Sequence, residues 1–279
     1  MKTLLVILID LIMAIPTGSG DVRIGRIFHN SLVGGLPVGI IWVTTMAFMA
    51  CYLSMVLIVY NVTVNKNLLV RGQRLHSTAS PLTFCLCRLN SRLEVLPEKD
   101  GLKILPTGKL IYENCLVPKD NLVGDEGRGL LLALDAIDKG RTFLAGISCG
   151  LGYRILDEVF KYSRKRIQFD HPLTSSQDIS FKISDMHTQI NAARGLCFHA
   201  LKQVNSPYYR SASSQAKLFA TQMVMSVAQS GLMIMGGRGY FKNNIISLLS
   251  ADARGMEYLE GTSSIQKMII SSELFKTYS

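Results

Sequence analysis

The most regular pattern in the chain is a helical repeat of apolar positions in its second half. Ile179, Ile183, Met186, Ile190, Ala193, Cys197 and Ala200 recur at alternating steps of four and three. That period places them on one face of an α-helix. Lys182, Asp185, Gln189 and Arg194 fall elsewhere on it, as an amphipathic helix requires. Ala212, Ala216, Phe219, Met223, Ser226, Ser230 and Met233 repeat the spacing and stop at Gly236-Gly237. A first long helix is predicted from about Gly129 to Arg164. A last one starts near Thr262, where Ser263-Ser-Ile-Gln266 fits a capping box. Three long helices and one shorter one, joined by brief connections, predict a mainly α, antiparallel four-helix bundle.

The first part of the chain has a different texture. Leu102–Glu113 alternates loosely and contains Pro106-Thr-Gly108, which predicts a short β segment with a turn. Ser77–Arg92 has no clear period and reads as a linker. Between Ile27 and Asn65 there is no Asp, Glu, Lys or Arg, and within that run Val38–Tyr60 is long enough to span a bilayer as a helix. A buried helix is the alternative. Residues 1–16 resemble a signal peptide interrupted by Asp10. Asn61-Val-Thr63 fits a glycosylation acceptor, and Cys85-Leu-Cys87 lacks the spacing of a zinc or redox motif.

Composition excludes some classes. With 279 residues, 48% of them hydrophobic and 18% charged, the chain has ample material for a core, unlike a disordered tail. Six cysteines over this length do not make a disulfide scaffold. The net charge of +10 invites a nucleic-acid reading until it is located. Residues 1–92 carry eight basic side chains against Asp10 and Asp21, so over half the surplus flanks the apolar run. No stacking platform accompanies it, and no nucleic-acid partner is expected.

Four clusters carry candidate chemistry. Gly124-Asp-Glu-Gly-Arg-Gly129 precedes a helix but lacks the βαβ setting of a nucleotide fingerprint. Arg164-Lys-Arg166-Ile-Gln-Phe169 puts three cations near a helix end, as dipole partners or as a phosphate clamp. Gly236-Gly-Arg-Gly-Tyr240 suits a C-cap, or a close approach of backbone to a cofactor. Glu260-Gly-Thr-Ser-Ser-Ile-Gln266 sets a carboxylate just before a helix N-terminus. No His pair has metal-ligand spacing.

Together, and in this order, these clusters resemble the C-terminal half of the acyl-CoA dehydrogenase family. Gly101-Leu-Lys through Leu110–Gly124 looks like the end of that family's β domain. Asp138-Lys-Gly-Arg141 is similar to its first bundle helix, Arg166-Ile-Gln-Phe169 to its Arg-x-x-Phe-Gly segment, and Phe181–Met186 to its second helix. Gly236–Tyr240 and Glu260-Gly-Thr262 through Gln266 complete the series. The match covers roughly residues 94–279, which divides the chain into a hydrophobic leader (1–92), a β-domain remnant (93–124) and a helical-bundle domain binding FAD and acyl-CoA (125–279). The family's N-terminal helical domain and most of its β domain have no counterpart, and residues 1–92 resemble nothing in the family.

The resemblance implies FAD-dependent α,β-dehydrogenation of an acyl-CoA thioester. Glu260 matches the general base that removes the α-proton. Arg166, Phe169 and Gln177 match positions holding the FAD of a neighbouring subunit, Gly236 and Gly237 the backbone along its adenine side, and Thr262 a flavin contact. Arg141 and Gly261 match positions near the acyl-CoA. A homodimer or tetramer, an electron-transfer flavoprotein as acceptor and a mitochondrial location follow by the same resemblance. Some members carry the base on the first bundle helix, where this chain has Gly140. Other departures are Asp170 in place of glycine, Met233 in place of a polar residue, Ala251 for arginine, Leu259 for an aromatic and Ser264 for Glu or Gln. The alternative expectation is a non-catalytic, membrane-tethered bundle that pairs with full-length family members.

Overall fold

The computed structural model describes residues 69–70, 73–74, 84–85, 91–103, 105, 107–112, 116–117, 122–125 and 127–278. The runs at 1–16 and 38–60 and the Asn61–Thr63 triplet lie outside the described residues.

The described residues fall into two compact units. One comprises those up to Lys99 together with 103–137. Its strands are β1 (Leu69–Val70), β2 (Gln73–Arg74), β3 (Phe84–Cys85), β4 (Ser91–Val95), β5 (Gly108–Tyr112), β6 (Leu116–Val117) and β7 (Leu122–Val123). β1 pairs antiparallel with β2 and parallel with β6, and β3 pairs antiparallel with β7. β4 and β5 form the longest ladder, antiparallel from Ser91 opposite Tyr112 to Val95 opposite Gly108. Leu96 N–H continues it to the Thr107 carbonyl, and Lys99 Nζ folds the connection by donating to Leu105 O and Thr107 Oγ1. The β segment expected near 102–113 is therefore β5. The stretch read as a linker holds β3 and the start of β4, because two-residue strands with distant partners leave no local alternation to detect.

The other unit contains residues 100–102 and 138–278 and is helical. Its helices are α1 (Gly129–Lys165, which begins in the first unit), α2 (Gln177–Lys202), α3 (Tyr209–Met235), α4 (Ile245–Met256) and α5 (Ser263–Tyr278). α4 is an addition to the four expected helices. Asn244 caps it, its side chain accepting from Ile246 N–H at 2.9 Å. Between α1 and α2 lies a small hairpin, β8 (Ile167–Gln168) and β9 (His171–Pro172).

α3 packs against α2, α4 and α5, and its Gly231 lies where α1 and α4 converge. A Cβ on Gly231 would stand 3.1–3.3 Å from Ile155, Val159 and Ile246, so the glycine permits that close approach. The stripe expected on α3 holds in part: Ala212, Ala216 and Met223 are buried, whereas Phe219, Ser226 and Met233 are exposed. The buried face also takes in the adjacent line of Ser213, Lys217, Ala220, Val224, Val227, Gly231 and Ile234. The stripe expected on α2 holds: Met186, Ile190, Ala193, Cys197 and Ala200 are buried. Each buried Val, Ile or Met contributes about 1.5–3 kcal/mol by leaving water.

Among the described residues, one helical stretch, Tyr209–Tyr240, is long and apolar enough to cross a membrane. Half of its apolar window is buried inside the protein, and its hydrophobicity serves the core. Cys149 and Cys197 are buried there as well, with burial pushing the first thiol up to about 12 and raising the second too. They pack as small apolar residues.

Candidate active site

Glu260 sits in the turn between α4 and α5, with φ 55°, and Gly261 follows with φ 92°. Two successive left-handed residues are unusual, and for a glutamate this conformation costs about 1–2 kcal/mol unless its surroundings hold it. Here they do. The Glu260 carbonyl accepts from Arg141 Nε of α1 at 3.3 Å and from Gln266 Nε2 of α5 at 2.9 Å. The Gly261 carbonyl accepts from Gln266 Nε2 at 3.0 Å and from Lys217 Nζ of α3 at 2.7 Å. Lys217 also donates to the Glu257 carbonyl at 2.8 Å.

The carboxylate turns inward and is 4% exposed. It lies against α1 at Gly140, where a Cβ would stand 2.5 Å from Oε1 and 2.7 Å from Oε2. Oε2 is buried without a hydrogen-bond partner among the described residues. Burial pushes the Glu260 pKa up to about 7, against the opposing pull of the Arg141 and Lys217 charges. A carboxyl poised near neutrality, with one oxygen left for an incoming proton, is suited to general base work.

Arg141 is itself buried and forms an ion pair with Asp138 one turn back on α1. Its guanidinium therefore braces the Glu260 turn. The capping box expected at Ser263–Gln266 is not formed. Ser263 Oγ donates to Glu257 Oε1, and the Gln266 side chain is committed to the two turn carbonyls. Thr262 is exposed, and its carbonyl accepts from Gln266 N–H.

The remaining predicted residues gather elsewhere. Arg166 continues α1 by one hydrogen bond, N–H to Tyr162 O, and opens the β8–β9 hairpin. Phe169 and Asp170 form its two-residue turn, with φ 51° and 64°. That is a type I′ geometry. Phe169 is 94% exposed. Gln177 is the first residue of α2. Gly236 ends α3 at φ 58° and opens a 3-10 segment, Gly236–Tyr240, whose Arg238 lies over the Tyr162 ring at 5.8 Å. The end of α1, the hairpin and this segment thus share one end of the helical unit. From Arg141 to Lys165 along α1 is about 36 Å at 1.5 Å per residue. One copy of the chain separates these residues from Glu260.

Residues 127–275 match the family described as acyl-CoA dehydrogenase, C-terminal domain. The chain belongs to the acyl-CoA dehydrogenase family. It is 36% identical over 183 residues to the short-chain specific mitochondrial acyl-CoA dehydrogenase of Rattus norvegicus, covering 65% of this chain and 44% of that one. It is 34% identical to the 3-(aryl)acrylate reductase of Clostridium sporogenes over 64% of this chain and 48% of that one. Among solved structures, butyryl-CoA dehydrogenase of Megasphaera elsdenii superposes with TM-score 0.65 at 30% identity, over 67% of this chain and 49% of that one. The chain thus spans about half the length of these relatives.

Family departures find physical places in the fold. Asp170 adopts the left-handed conformation that glycine takes most readily, and aspartate is among the side chains that tolerate it. Met233 is exposed, on the solvent side of α3 where a polar residue is usual. Beside Ala251, Asp252 Oδ1 accepts from Leu102 N–H at 2.6 Å and pins residues 100–102 to α4.

The residues fit the family's cofactor. The side chains of Arg166 and Gln177 have no hydrogen bond or ion pair among the described residues. A Cβ built on Gly236 or Gly237 meets nothing within 4 Å, so the backbone there is open to a ligand. Lys217 joins the site without a motif to mark it; its one signal in the sequence is a lysine in register with Ser213, Ala220, Val224 and Val227, near the start of an apolar helix face.

Proposed function

We propose that this chain performs FAD-dependent α,β-dehydrogenation of acyl-CoA thioesters, with Glu260 as the base. The observation that carries this reading is the Glu260 carboxyl, buried over Gly140 with Oε2 unpaired and titrating near neutrality. In the reaction the α C–H bond breaks and its proton passes to Glu260. The β C–H bond breaks with its electron pair, and a carbon–carbon double bond forms. Bound FAD supplies the hydride acceptor. Arg141, Lys217 and Gln266 hold the turn so that the carboxylate meets the α-carbon in a fixed direction.

Arg166, Phe169, Gln177, Gly236 and Gly237 would hold the cofactor from a second copy of the chain, with Thr262 and Gly261 at the flavin and thioester beside Glu260. The separation of about 36 Å along α1 supports this division of labour, because one copy does not bring both sets together. A homodimer or tetramer follows. An electron-transfer flavoprotein as final acceptor and a mitochondrial location are proposed on the family likeness.

The test is flavin uptake by the full purified chain. Retained FAD with a visible absorption band, lost on Arg166→Ala, supports the reading. A colourless protein that takes up no added FAD overturns it and leaves the non-catalytic, partner-pairing alternative.

A further inference from the structure

Lys217 is fully buried about two turns into α3. Lysines are almost never placed so unless paired, because an ammonium loses its hydration there. No carboxylate lies within ion-pair distance of Lys217 among the described residues. Its two recorded partners are main-chain carbonyls, Glu257 O at 2.8 Å and Gly261 O at 2.7 Å. A methionine of similar length would fill the same volume of core without the cost of burying a charge. What the ammonium adds is a pair of N–H donors and a positive charge.

Both act on the turn that carries Glu260. Gln266 and Arg141 reach only the carbonyls of residues 260 and 261. Lys217 joins the main chain at the two ends of the turn, closing the Glu257 carbonyl onto the Gly261 carbonyl across the left-handed Glu260, while Ser263 Oγ reaches only the Glu257 side chain. We propose that Lys217 is a positioning residue for the candidate base: it locks the 257–261 turn and fixes the Glu260 carboxylate over Gly140. The catalytic consequence rests on Glu260 being the base, whereas the conformational claim stands on the geometry of the turn.

The charges facing Glu260 are Arg141 from α1 and Lys217 from α3, with Asp138 paired to Arg141 and Glu257 beside Lys217. Removing the Lys217 charge takes away one cation that favours the ionised carboxylate, so Glu260 should hold its proton to higher pH.

The experiment compares the full wild-type chain with Lys217→Met, Lys217→Gln and Lys217→Arg. Infrared difference titration follows the protonated carboxyl stretch of Glu260, assigned by its absence in Glu260→Gln, and needs no flavin. The neutral variants should titrate about one pH unit higher than wild type, and Lys217→Arg should return towards the wild-type midpoint. In FAD-loaded protein, kcat with an acyl-CoA should fall about tenfold or more at unchanged KM, with its acid limb moved upward. Should Lys217→Met fail to fold by circular dichroism, Lys217→Gln carries the same comparison. A neutral variant that melts earlier yet titrates at the wild-type midpoint reduces Lys217 to a packing residue and overturns the proposal. A shifted carboxyl titration in a chain whose wild type never reduces flavin upholds the positioning role and removes the dehydrogenase reading instead.

Discussion

The Glu260 carboxylate occupies the space that a side chain at position 140 would need, with a built Cβ 2.5 Å from Oε1. Glycine in a helix interior is otherwise a liability of about 1 kcal/mol relative to alanine. Gly140→Ala should therefore stabilise an ordinary helix but not this one. The expected outcome is no gain in melting temperature and a fall of about a hundredfold in acyl-CoA-dependent flavin reduction as the carboxylate is displaced. Raised stability with unchanged activity would show that the carboxylate does not depend on this gap.

The same burial predicts two opposite limbs of stability against pH. The Glu260 pKa rises from 4.5 to about 7 on folding, so between those values the folded chain keeps a proton that the unfolded chain has lost. Its contribution is complete below about 4.5 and is lost as pH rises towards 7, on the order of 3 kcal/mol. Lys217 is lowered from 10.5 to about 8, so the unfolded chain binds more protons between those values and stability rises with pH there. Denaturant titrations should find Glu260→Gln close to wild type near pH 4.5 and more stable than wild type near pH 8. A constant difference across that range would contradict the raised pKa.

Much of this was legible in the sequence and some was not. The α2 stripe from Ile179 to Ala200 gave the right face, because its apolar and charged residues segregate cleanly. On α3 nearly every position is small or apolar, so two adjacent stripes fit the period, and the buried face draws on both: Ala212, Ala216 and Met223 of the expected one, and Lys217 with Ala220 and Val224 of its neighbour. α4 is hard to read although Asn244 before Ile245-Ile246 is a sound start signal, because its 12 residues follow a run of glycines that reads as loop. Glu260 was found by its motif alone. Its burial and its packing on Gly140 join residues 120 positions apart, which no local pattern encodes.

The β8–β9 turn makes a separate prediction. Both Phe169 and Asp170 are left-handed, where a type I′ turn favours Asn-Gly. Asp170→Gly should raise stability by about 0.5–1 kcal/mol in denaturant titration, since glycine meets no steric penalty at positive φ. Phe169→Ala should change stability by less than about 0.5 kcal/mol, as a side chain so exposed contributes little to the core. It should nevertheless speed FAD loss on gel filtration. Equal flavin retention would remove Phe169 from the proposed cofactor contacts.

Abstraction of the acyl-CoA α-proton by Glu260 is tested most directly by anaerobic mixing of FAD-loaded chain with a series of straight-chain acyl-CoAs, following the visible flavin band in wild type and Glu260→Gln. Wild type should bleach with at least one member of the series, while Glu260→Gln keeps its flavin and stays coloured. Bleaching of Glu260→Gln at the wild-type rate would contradict the claim.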